Sequence, residues 1–155
     1  RSIGSKSTLQ DLEKWVSTLI ETNDWGVGMT HGLTYGYDAF RNPQRLWDHL
    51  DQVKARENEI WVGTFREVAS YIKEREETKL EVVNKKNTLL ITPELKLDQE
   101  LFVEPLTMVI TGKEIKKVTV KQGKRKLPVQ ITDDKVLFDF DPYGGMIKVT
   151  LKIQK

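Results

Sequence analysis

The hydrophobic period of this chain changes once, near residues 77–79, and that change constrains its fold more than any other feature. Before it, apolar residues recur at intervals of three and four, which lines one face of an α-helix. After it they alternate, which lines one face of a β-strand. The chain is therefore expected to have two parts, 1–77 and 78–155. With 38% hydrophobic and 31% charged residues over 155 positions, it has the apolar content of a globular protein.

In the first part, Leu9, Leu12, Val16, Leu19 and Ile20 predict a helix over Thr8–Glu21, capped by Ser7 or Thr8. Trp25 to Thr30 predicts a short buried strand. Pro43 stands in the first turn of a second helix whose apolar face is Leu46, Trp47, Leu50 and Val53. Ile60-Trp61-Val62 predicts another strand. Thr64 and Glu67 form a capping box for a third helix with a stripe of Phe65, Val68, Ala69 and Ile72. Helices alternating with strands imply parallel strands covered by helices, and two strands are too few to stand alone. This part is expected as a segment of a larger α/β fold.

In the second part, seven alternating stretches predict strands: 80–83, 88–92, 106–111, 117–121, 128–132, 135–140 and 146–153. Turn signals at Gly112-Lys113, Gln122-Gly123, Asp133-Asp134 and Pro142–Gly145 separate them. That spacing points to an antiparallel β-sandwich.

The chemistry concentrates at Trp25-Gly-Val-Gly-Met-Thr-His31-Gly32, where an apolar run ends in one of the two histidines. Ligands and chemistry gather at the carboxyl ends of strands in α/β folds, and imidazole moves protons near neutral pH. His31 is therefore a proton-transfer candidate, beside the simpler reading of a strand-end histidine bonded to backbone. His49 reads as a helix-face residue. Trp25, Trp47 and Trp61 read as core more readily than as sugar-stacking platforms. Tyr35 and Tyr37, in the loop after His31, are better placed to bind. Gly26-Val-Gly28 is no dinucleotide fingerprint, because the third glycine position is His31. Asp139 and Asp141 alternate with Phe138 and Phe140, so a wet strand face explains them, with Asp133 and Asp134, better than calcium. Lys121, Lys124, Arg125 and Lys126 bracket a predicted turn and read as a solvated hairpin rather than an anionic-glycan site.

The run Trp25–Gly32, the helix bearing Leu46-Trp-Asp-His-Leu50, and Ile60-Trp-Val-Gly-Thr-Phe65-Arg-Glu-Val-Ala-Ser-Tyr71-Ile72 together resemble the C-terminal end of a polysaccharide deacetylase catalytic domain. The resemblance spans roughly residues 8–76. It implies the final part of a NodB-type distorted (β/α) barrel, a carbohydrate esterase that removes acetyl groups from glycans. It implies His31 as the general acid, with Val27 and Met29 as candidate lining of the acetyl pocket, of which only one is expected to face it. It also implies a divalent metal, zinc, in the complete enzyme. The family's aspartate base, its metal-binding aspartate and two histidines, and its base-orienting arginine have no counterpart in this sequence, so no metal ligand is assigned and the chain alone is expected to be inactive. Acetylated poly- or oligosaccharide is the expected partner, in the cell envelope or outside it, together with a second chain or the missing N-terminal part. The alternatives are a non-catalytic glycan- or protein-binding β-sandwich with a helical collar, and a different TIM-type hydrolase.

Several classes are disfavoured. No run of about 18 apolar residues exists to span a membrane. Residues 1–76 carry ten Lys/Arg and twelve Asp/Glu, and the remainder fifteen and eleven, too mild an asymmetry for a nucleic-acid surface. With no cysteine there is neither a disulfide nor a thiolate metal site. Arg1–Ser7 lacks a signal peptide's apolar stretch, which leaves the compartment open because signals are removed on export.

Overall fold

The computed structural model describes residues 1–112, 115–132 and 134–153, and has three helices followed by eight strands in antiparallel sheets. It divides into two compact units, Arg1–Gly63 and Thr64–Lys155. The division falls earlier than the change of hydrophobic period, because the third helix packs with the strands that follow it.

The first unit is built on two helices. In α1 (Leu9–Thr22) the Thr8 hydroxyl accepts from the Asp11 N–H while the Asp11 carboxylate accepts from the Thr8 N–H, so two orphan donors are satisfied at once. The helix stops at Asn23, which adopts the left-handed conformation with φ of 54°. α2 (Gln44–Lys54) starts after Pro43, with Asn42 Oδ1 accepting from the Gln44 N–H. Ile3, Leu12 and Phe40 form the buried core, with Trp15 and Leu46 packed against it.

Two expectations for this unit are corrected. Trp25–Thr30 is not a strand: it makes one isolated parallel bridge, Ser2 to Met29. Ile60–Val62 pairs with no strand among the described residues. A strand exists only through its ladder, and these segments find one bridge and none, so the apolar run alone does not make a sheet. The α2 face is also rotated from the expected one. His49 is buried and Leu46 and Val53 half-buried, a stripe at i, i+3 and i+7, whereas Trp47 and Leu50 are exposed.

The second unit starts with α3 (Phe65–Glu77), whose Thr64–Glu67 capping box forms as the sequence predicts. Its most buried residues are Ser70 and Glu74, with Tyr71 packed on the β core. Val68, Ala69 and Ile72 are half-buried and Phe65 is exposed. The strands are β1 (Lys79–Lys85), β2 (Thr88–Glu94), β3 (Leu106–Thr111), β4 (Ile115–Gln122), β5 (Arg125–Leu127), β6 (Gln130–Ile131), β7 (Lys135–Phe140) and β8 (Ile147–Ile153). They form a five-stranded sheet in the order β1-β2-β8-β4-β5 and a three-stranded sheet in the order β3-β7-β6. Val120, Ile147 and Val149 of the first sheet and Leu106, Val136 and Phe138 of the second belong to one buried cluster.

All seven expected strands are present. The stretch at 128–132 shortens to β6, where Pro128 has no N–H to give a ladder. The basic residues flanking Gly123, which sits at φ of 55°, are exposed on the β4–β5 hairpin, and β5 is a strand the alternation did not reveal. Lys113 and Asp133, part of two expected turns, lie outside the described residues. Among the described residues no helix is long and apolar enough to cross a membrane.

Candidate functional site

The segment leading to His31 has two unlike sides. A Cβ on Gly26 would lie 2.2 Å from Leu19 Cδ1 and 3.0 Å from Trp15 Cζ2, and one on Gly28 would meet Ile3 and Trp15 at 3.3–3.4 Å. The glycines are therefore there because α1 and the first residues press against that side. The odd positions are open: Val27 is 40% and Met29 48% exposed, and Trp25 and His31 are also exposed. Val27 and Met29, two apart in an extended stretch, are both exposed. The segment is held by hydrogen bonds from the Ile3 N–H to Met29 O (2.9 Å) and from the Met29 N–H to Arg1 O (3.0 Å).

The loop after His31 is tied at both ends. Phe40 N–H donates to Gly32 O at 3.2 Å, and buried Ala39 and Phe40 anchor the return. Asp38 Oδ1 accepts from the Ser5 hydroxyl at 2.6 Å and from the Ser5 N–H at 3.1 Å. These bonds, the hydroxyl's first, hold the Asp38 carboxyl below its ordinary value, with Lys6 and His31 adding smaller favourable charge interactions. Tyr37 meets His31 edge-on, ring centroids 5.5 Å apart at 80°. Tyr37 is 83% and Tyr35 89% exposed. The structure thus brings His31, Tyr37 and Asp38 together, while Tyr35 is exposed on the same loop. Asp38 was not singled out from the sequence; its place in a Gly/Tyr-rich turn just after His31 is the signal that points to it.

The other histidine is placed differently. His49 is 5% exposed on α2, burial pulls its pKa below the ordinary imidazole range, and its Nδ1 has no hydrogen-bond partner among the described residues. Among the described residues no three or more His, Asp or Glu side chains are grouped to hold a metal ion. The described residues of this chain by themselves therefore offer no ligand set for the divalent metal that the resemblance implies. Asp139 accepts from the Thr107 hydroxyl across the β3–β7 pair, and Asp141 Oδ1 accepts from the Tyr143 N–H in a turn, which gives both carboxylates structural roles. An open cleft of about 570 Å³ at the start of α1 and α2 is lined by Ser5, Lys6, Thr8, Asn42, Gln44 and Arg45, with none of the expected site residues among its walls.

No family model, no curated protein and no solved structure matches the chain.

Proposed function

We propose that the first part of this chain is the C-terminal segment of a metal-dependent polysaccharide deacetylase, a distorted (β/α) barrel in its complete form, followed by a β-sandwich accessory domain. His31 is its general acid and donates a proton to the departing amine or alkoxide of an acetylated glycan. Val27 and Met29 line the acetyl-methyl pocket, and Tyr35 and Tyr37 bind sugar. The observation that carries this reading is the segregation around His31. Gly26 and Gly28 abut Trp15 and its neighbours, Gly28 itself being exposed, while Val27, Met29, the imidazole and the two tyrosines are exposed on the segment and its loop.

The exposure of Val27, Met29, Leu33 and Val62 fits a surface completed by a second chain or by the rest of the barrel. A common core of two antiparallel sheets supports the sandwich. Base and metal ligands would come from sequence other than these 155 residues, so this chain alone should release no acetate from acetylated chito- or xylo-oligosaccharides. Acetate release by residues 1–155 alone would contradict the proposal.

A further inference from the structure

Glu74 has no exposed surface, although it is a carboxylate on a helix whose neighbouring charged positions, Lys73, Arg75, Glu76 and Glu77, are all exposed. Its Oε1 accepts from the Glu104 N–H at 3.1 Å, and its Oε2 has no hydrogen-bond partner among the described residues. The charges that act on it are Glu104, from the β2–β3 connection, and Asp141, from the β7–β8 turn. Beside them Tyr143 donates its hydroxyl to Leu97 O, and its own ionisation is pushed up by burial and by the charges of Glu74, Asp98 and Asp141. β3, which packs against α3, carries no ionisable side chain. Among the described residues, the charges that act on Glu74 include no cation.

We propose that Glu74 is a proton-controlled latch: as a neutral acid it seats the C-terminal half of α3 on the β sheets, and loss of its proton releases that half-helix. An ionised carboxylate with no cationic partner and two acidic neighbours is costly to keep out of water, whereas a neutral carboxyl keeps the Glu104 bond without that cost. Burial first, and the Glu104 and Asp141 charges after it, raise the Glu74 pKa above the ordinary value of 4.5, against the lowering effect of the Glu104 N–H. A raised carboxyl pKa means that attachment is complete below the ordinary range and is lost as pH rises through the seated value. The released part includes Thr78, whose N–H and hydroxyl both donate to Glu74 O. This latch is independent of the deacetylase reading.

The test is amide hydrogen exchange across residues 72–78 of the full chain from pH 4.5 to 8.5, corrected for intrinsic rates. Wild-type protection should fall by up to about tenfold per pH unit from the ordinary value of 4.5 up to the seated pKa and level off above it, and Glu74→Gln should keep it high and flat. A flat wild-type profile, or the same fall in Glu74→Gln, overturns the latch. Should Glu74→Gln not fold, the wild type decides by comparing its exchange with a carbon-13 NMR titration of the Glu74 carboxyl: protection of residues 72–78 that falls over the same pH range as that titration supports the latch, and protection that does not follow it, or a carboxyl pKa at or below 4.5, overturns it.

Discussion

Gly26 is the residue whose role is clearest, since its missing side chain leaves room for Leu19 and Trp15. Gly26→Val should destabilise residues 1–63 by about 1–3 kcal/mol through overpacking, read from urea unfolding followed by tryptophan fluorescence. His49 makes a second prediction. Its pKa is lowered by burial, so the stability tied to its neutral form is present above the ordinary value of 6.5 and is lost as pH falls through that value towards the seated one. The urea midpoint reported by fluorescence should drop between pH 7.5 and 5.5, and His49→Leu should flatten that part of the profile. Residue type and spacing single out His31 in the sequence, and the structure places it exposed beside Tyr37. The burial of His49 was not legible there, because a polar residue on a helix declares its side only once the helix has a partner.

Among the elements, those specified locally were the legible ones. Thr64 and Glu67 are three residues apart and satisfy each other's backbone whatever lies further off. Thr64→Ala should cost about 1 kcal/mol, measured as a lower unfolding midpoint of the full chain. The strands of the second part were also legible, since β1, β4 and β6 each turn straight back into an antiparallel partner and the others pair within the two sheets. Trp25–Thr30 forms only the isolated bridge from Ser2 to Met29, and Ile60–Val62 joins no ladder among the described residues, so their strand character depended on pairing the sequence could not show. For α2, four apolar positions fitted a helical stripe, and packing against Ile3 and Phe40 selected the neighbouring stripe through Leu46 and His49 instead.

At the scale of the whole molecule, the two units distribute their apolar surface very differently. The β unit draws both sheets into one core, so Phe138→Ala should cost about 3–5 kcal/mol, seen by calorimetry of the full chain. The first unit leaves Val27, Met29, Leu33, Tyr35 and Tyr37 exposed along one segment and loop. Sedimentation velocity of residues 1–155 should therefore show association that grows with concentration and weakens in Val27→Ser/Met29→Ser. Under the proposed function His31 is the general acid of a deacetylase. The direct measurement is acetate release from acetylated oligosaccharide by the longer deacetylase that this proposal requires, wild type against His31→Ala, with thermal stability recorded for both. His31 is exposed, so stability should not move, while turnover should fall by about a hundredfold or more. Turnover that matches the wild type would contradict the account.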